Sequence, residues 1–385
     1  MGNFNCIKHL SERVSLIASD HTWIEGNAIQ QLHHTASLAD MERVAGMPDL
    51  HPGRGYPVGA AFFSSGRLYP ALVGNDIGCG MALWRTELDA TRIGADQLEK
   101  RLGNIDGPLD ASWDEAVAQV VASQSLQGVG HEHALGTIGG GNHFAEVQQI
   151  DEILDQAAVA ALGLERRRLV LLVHSGSRGL GQAILQDHIE RFGHSGLSGA
   201  SQDGADYLAR HAQALRFAQG NRELVARRML DRLHGGGERV LDVDHNFLAA
   251  ATIDGIAGWL HRKGATPADA GPVVIPGSRG DYSYLVEPVA DARSLLSLAH
   301  GAGRKWMRGE CKSRLSGRFT VEQLSRTRFD SRVICRDRQL IYEEAPQAYK
   351  PIDSVVAALC DAGLARPLAR LRPVLTYKTS GECCR

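Results

Sequence analysis

The sequence predicts an α+β fold built around a β-sheet core. Two short apolar runs, Arg168-Leu-Val-Leu-Leu-Val-His174 and Gly271-Pro-Val-Val-Ile-Pro276, have the length of buried strands. Longer segments carry apolar residues at helical spacing. The two kinds do not alternate regularly, which argues against a Rossmann or barrel topology.

In chain order, Asp151 to Leu164 shows helical spacing, and Arg168 to His174 is a strand that ends on a histidine followed by glycines. Ala205 to Leu233 predicts a long helix, polar on one face and rich in Ala, Leu and Arg. Asn246 to Leu260 is Ala-rich and apolar, and predicts a buried helix. Gly271 to Pro276 is the second strand. Asp353 to Leu364 predicts a short amphipathic helix. No internal repeat or linker interrupts the 385 residues, so a single compact domain over residues 1–385 is expected.

Apolar residues make up 43% and charged residues 22%, as in soluble globular proteins. The formal net charge of -2 shows no overall bias toward nucleic acid. Charge is uneven, however. Arg304 to Arg338 holds eleven Lys or Arg against four acidic residues, which suits either an RNA backbone or a solvated surface. Seven irregularly spaced cysteines argue against a disulfide framework and for a reducing compartment. No apolar run is long enough to span a bilayer, and the first residues lack a signal-peptide core. Cytoplasm is the expected location.

Glycine is the informative residue. The 43 glycines exceed the usual share of about 7%. They gather in blocks: HPGRGYPVG, VGNDIGCGM, GTIGGGNHF, HSGSRGLG, HGGG, IPGSRG and HGAGR. Such blocks permit close backbone approach to a ligand. Ordinary tight turns would explain one or two of them, but not so many that also carry His, Asp or Cys.

Asp76-Ile-Gly-Cys79 sets a hard oxygen donor three residues from a thiolate. A lone copy also reads as a buried Cys beside a turn-capping Asp. Three histidines add weight: His143 in GGGNHF, His174 at the strand end, and His245 in Asp-Val-Asp-His, ahead of the expected Ala-rich helix. Together they offer one S, one O and three N donors, enough for two divalent ions if the thiolate bridges. Paired ions suit phosphoryl transfer. His51 is an intermediate case, and most of the other histidines read as surface or structural.

His300-Gly-Ala-Gly-Arg304 leaves an imidazole uncrowded, with free backbone N–H groups and a forked arginine for phosphate. A histidine can attack an α-phosphate and hold the nucleotide as a phosphoramidate. A helix-start turn is the plainer reading. Ile275-Pro-Gly-Ser278 through Ser283 could contribute hydroxyls to a nucleotide, or be a simple β-turn.

Taken in order, MPDLHPGRGYPVG, VGNDIGCGM, GGGNHF, HSGSRG, HNF, IPGS, HGAGR, EEAPQAYK and LRPVLTYK resemble the RtcB family of RNA ligases, from about Met47 to Lys378. The resemblance implies an RtcB-like α+β fold, one GTP and two manganese ions. It implies that GMP passes to His300 and then to an RNA 3'-phosphate, which a 5'-hydroxyl attacks. A 2',3'-cyclic phosphate can supply that end after opening. By the same carry-over, Cys79 bridges the metals, completed by Asp76, His143, His174 and His245. Asp49 orients His300. Asn142, Glu146 and Arg178 act near phosphates. Ser278, Ser283, Gly301, Ala302, Gly303 and Lys378 bind guanine nucleotide.

The chain departs from the family pattern in four places. It is short. Asn75 precedes Asp76 where an apolar residue is usual, and Asp-Val-Asp precedes His245 where Cys-Pro is common. Thr379 to Arg385 extend beyond Lys378. These features resemble a short subgroup associated with a release-factor-like protein, which implies RNA repair. An archease-like accessory protein is a further implied partner. Two other readings remain: a two-metal RNA-end phosphoesterase that makes no use of His300, and a non-catalytic RNA-binding protein.

Overall fold

The computed structural model describes residues 6–378, and two β-sheets form its framework. Across the first lie Ile7–His9, Val14–Ile17, Met41–His51, Val58–Ser64, Ile256–Lys263 and Asn246–Ile253. Across the second lie Gly237–Asp244, Gly80–Asp89, Arg168–Ser175, Phe144–Ile153, Ala365–Tyr377, Ser283–Pro288 and Val273–Pro276. Arg332–Ile334 adds a parallel pairing to Ala365–Tyr377. Most pairings are antiparallel, so the α+β reading holds and a Rossmann or barrel arrangement is absent.

The strand expected at Arg168 runs to Ser175. Its unbroken apolar run has a physical cause, because both faces are covered. Leu169, Leu171 and Val173 pack on Val225, Met229 and Leu233 of the long helix. Val170 and Leu172 pack with Met81, Leu83 and Leu371 on the other side. The long helix spans Gln202–Leu233. Ser201 caps its start by accepting from the Gly204 N–H at 3.1 Å, and a left-handed His234 ends it. Val273–Pro276 and the helix Ile352–Asp361 also form as expected. Ile7 and Ile17 share one apolar cluster with Leu364 and Ala365, so the first strands and the start of the last strand enter one core.

Two expected helices are corrected. Asn246 to Leu260 folds as a β-hairpin, Asn246–Ile253 paired with Ile256–Lys263. The turn residues Asp254 and Gly255 both take positive φ, 49° and 81°. Asp-Gly is a strong hairpin signal because its backbone twist matches that of the flanking strands. The alanine content masked that turn. Of Asp151 to Leu164, only Gln156–Ala161 is helical; Asp155 caps it, and the residues through Ile153 finish a strand. The tail Thr379 to Arg385 lies outside the described residues. Among the described residues, no helix is long and apolar enough to cross a membrane.

Candidate active site

Four adjacent strands of the second sheet bring one donor each to the same edge. Cys79 immediately precedes Gly80–Asp89, and His143 immediately precedes Phe144–Ile153. His174 lies at the end of Arg168–Ser175, and His245 follows Gly237–Asp244. The antiparallel register aligns these ends, with Gly80 opposite both Ser175 and Asp244, and Phe144 opposite His174. His245 is therefore not at a helix start. It is the corner where the chain passes from one sheet to the other, before Asn246–Ile253. Strand spacing of about 4.8 Å then sets the donors at coordination range.

Cys79 Sγ lies 3.1 Å from His174 Nε2 and 3.3 Å from His143 Nε2. His174 Nε2 is 3.3 Å from His245 Nε2, and His143 Nε2 is 2.7 Å from Asp76 Oδ2. Donor atoms of Cys79, His143 and His174 all fall within 4.8 Å of one another. This set fits a cation. Burial pushes His174 and His245 well below the usual imidazole range, so both are neutral. The Nδ1 atoms of His174 and His245 are buried without a hydrogen-bond partner. The Ile138 carbonyl lies 3.1 Å from His143 Nδ1, which must donate to it. That leaves His143 Nε2 as the ring atom facing the Asp76 carboxylate, where a bound cation could take both as ligands. Burial, helped by Asp76, holds the Cys79 thiol protonated; ion binding would displace that proton. Burial also raises the Asp76 carboxyl, but His143, Cys79 and Arg178 outweigh it and keep it below the ordinary range.

His300 sits beside this cluster, its ring 4.8 Å from that of His245. Asp49 Oδ2 accepts from His300 Nδ1 at 2.6 Å and from the His300 backbone N–H at 3.2 Å. That pairing places the ring proton on Nδ1 and leaves the Nε2 lone pair free. Lys350 secures Asp49 by donating to the flanking Pro48 and Leu50 carbonyls at 2.9 and 2.8 Å. Gly303 has a φ of 70°, and a Cβ there would lie 2.1 Å from the Asp49 carbonyl, so only glycine permits this approach.

A second polar group lies nearby. Glu146 accepts from Gln148 Nε2 at 2.6 Å and from the Thr376 hydroxyl, and Gln148 also donates to Ser283 at 2.8 Å. Burial raises Glu146 to about 7, against those hydrogen bonds and the charge of Lys378. Lys378 lies 3.6 Å from Glu344 and is lowered to about 8 by burial. Glu344 also accepts from Arg308 at 2.6 Å and from Arg304 at 3.1 Å. Arg304 does not offer its fork to a ligand here. It donates to Trp306, Glu343, Glu344 and Tyr349, and acts as a brace. Acidic partners also neutralise part of the basic stretch, as with Arg328 on Asp281 and Arg332 on Asp96.

Burial favours the neutral acid at Glu344, but Lys378, Arg308 and Arg304 outweigh it and hold the carboxyl at about 2. The folded pKa lies below the ordinary 4.5, so this stabilisation is present above that pH and fades as pH falls toward 2. A Glu344→Gln variant is therefore expected to melt below wild type at pH 7, with the gap narrowing by pH 3.5. A gap that stays constant across that range would contradict the assignment.

Asn142 is half-buried beside His143, and Gly141 approaches Arg308, where an added Cβ would lie 3.4 Å from the guanidinium. Arg178 takes a positive φ of 57° and donates to Thr137 at 3.1 Å. The Ser278 carbonyl accepts from Asp281 in a turn, and Ala302 is buried. A Cβ on Gly301 would come 3.2 Å from the Pro276 carbonyl, which joins the HGAGR and IPGS blocks in space. Sequence reasoning missed Gln148, Thr376, Glu344, Lys350, Asn221 and Arg222. Glu344 and Lys350 stand in the EEAPQAYK block, which held the available signal.

A family model described as tRNA-splicing ligase RtcB matches residues 31–128 and 110–379. RNA-splicing ligase RtcB2 of Escherichia coli is 59% identical over 382 residues, 99% of each chain. The tRNA-splicing ligase RtcB of Archaeoglobus fulgidus is 32% identical, with 91% of each chain covered. RNA-splicing ligase RtcB1 of Escherichia coli is 31% identical, over 92% of this chain and 95% of its own. The chain belongs to the RtcB family of ligases.

Proposed function

We propose that this chain, an RNA ligase by its family, joins an RNA 3'-phosphate or 2',3'-cyclic phosphate end to a 5'-hydroxyl end, with GTP and two Mn2+ ions. One observation carries the reading: His300 is held by Asp49 with Nε2 free, beside a buried cluster of metal donors. Asp76, Cys79, His143, His174 and His245 would hold the ions, which when bound would neutralise crowded phosphate charge. His300 Nε2 attacks the α-phosphorus of GTP, the bond to the departing pyrophosphate breaks, and the Nδ1 proton stays on Asp49's side. An RNA 3'-phosphate oxygen then takes the GMP, breaking the P–N bond and freeing His300. The 5'-hydroxyl attacks the RNA phosphorus and GMP leaves. A cyclic end enters after water opens it.

Gly301, Ala302 and Gly303 would face phosphate through their backbone, with Asn142 and Arg178 beside them. Glu146, Ser278, Ser283 and Lys378 would take the nucleoside. A buried carboxyl acceptor such as Glu146 suits the N–H edge of guanine better than a phosphate. We further propose residues 1–385 as one domain, and a release-factor-like or archease-like accessory partner. A reducing cytoplasmic setting is part of the same proposal, supported by the irregular spacing of the seven cysteines.

The test is incubation with α-labelled GTP and Mn2+, followed by tandem mass analysis of peptides. The expected result is one GMP on the peptide holding His300. No adduct, even with an RNA 3'-phosphate supplied, would sink the reading. Metal-dependent phosphate release without an adduct would favour the phosphoesterase.

A further inference from the structure

Asn221 and Arg222 lie midway along the helix Gln202–Leu233, and both are fully buried. All three side-chain nitrogens of Arg222 are engaged. Nε donates to Asp242 at 2.7 Å; Nη2 reaches Asp242 and Asp244, each at 2.6 Å. Nη1 donates to the Gly78 carbonyl at 2.6 Å and the Ser175 carbonyl at 3.0 Å. Gly78 precedes Cys79, Ser175 follows His174, and Asp244 precedes His245.

Asn221 reaches the fourth donor. Its amide donates to the Thr137 carbonyl and to the Ser175 hydroxyl, each at 3.0 Å, and accepts from the Thr137 N–H at 3.2 Å. The Ser175 hydroxyl donates at 2.7 Å to the Ile138 carbonyl, the group that also fixes His143 Nδ1. Two consecutive helix residues thus bond to a group beside, or one link from, each of the four donors. The carboxylates come from the Asp-Val-Asp that departs from the family's Cys-Pro.

We propose that Arg222, seconded by Asn221, is a positioning residue that presets Cys79, His143, His174 and His245 for metal and so sets the affinity of the centre. This rests on the metal-binding reading above. Partners that orient ligands in this way are commonly worth about 10- to 100-fold in metal affinity. A buried ion triad that only tied helix to sheet would leave affinity unchanged when replaced by well-packed apolar groups.

The experiment is Mn2+ titration of metal-stripped full-length protein, read from the electron paramagnetic resonance signal of free ion. Arg222→Lys and Asp244→Asn are expected to weaken uptake by about 10- to 100-fold. The triple variant Arg222→Met, Asp242→Leu, Asp244→Leu keeps the region packed if the single changes do not fold, and is also expected to bind weakly. Met229→Ala, on the same helix but packed in the apolar core, is the control: it should melt earlier with affinity unchanged. Folded Arg222 and Asp244 variants that bind within twofold of wild type would overturn the proposal, as would equal weakening in Met229→Ala. A wild type that takes up no Mn2+ would remove both this inference and the reading beneath it.

Discussion

Asp49→Asn is expected to slow GMP transfer to His300 by about 10^4-fold, the scale seen when a histidine loses its orienting carboxylate. Asp49 is wholly buried and bonds both Nδ1 and the backbone N–H of His300 through one oxygen. An asparagine must turn either end toward that pair. With its amide inward it opposes the backbone N–H and the Nδ1 proton. With its carbonyl inward the geometry survives, but the negative charge that would balance the imidazole as Nε2 bonds to phosphorus is gone. Single-turnover quench measurements of the adduct would read the rate. Asp49 pairs with His300 rather than with any proposed donor, so Mn2+ uptake should stay at the wild-type level. A rate within tenfold of wild type, with uptake intact, would remove Asp49 from the mechanism.

Cys79→Ser is expected to lower Mn2+ uptake by more than about 100-fold, beyond the effect of an orienting partner, and to abolish RNA joining. Cys79 Sγ is the centre of the cluster, in contact with the Nε2 atoms of both His143 and His174. A thiolate there can bridge two ions, whereas a serine hydroxyl resists deprotonation and is a poorer bridge. Metal content after dialysis, compared with joining of an RNA 3'-phosphate to a 5'-hydroxyl, reads both effects. A serine variant that loads the same number of ions with the same affinity would exclude a bridging role.

Much of the site was legible because glycine blocks marked where the backbone turns beside chemistry-bearing side chains. Asp76, Cys79, His143 and His174 could be read in this way, and so could His300. The fold was legible where burial left a plain pattern. Arg168 to Ser175 reads as a strand because both its faces are covered. The hairpin from Asn246 to Lys263 was not legible as such, because alanine suits helix by propensity and the Asp254-Gly255 turn is only two residues long. Arg222 gave no signal at all. An arginine within a polar-faced helix looks like solvated charge until the fold sets Asp242 and Asp244 against it.

The sequence by itself determined the donor types, the nucleophile His300 as a candidate, and the family. These depend on local chemistry, and residue identities within a few positions suffice. Only the tertiary structure decided which donors meet. Cys79 is 64 residues from His143 and 95 from His174, and no local pattern carries those separations. Antiparallel register joins them, because it sets the start of one strand beside the end of the next and collects four such termini on one edge. The tertiary structure also decided that Arg304 is a brace and Arg222 a hub. For a buried charge, the role follows from the groups that surround it, and those come from distant parts of the chain.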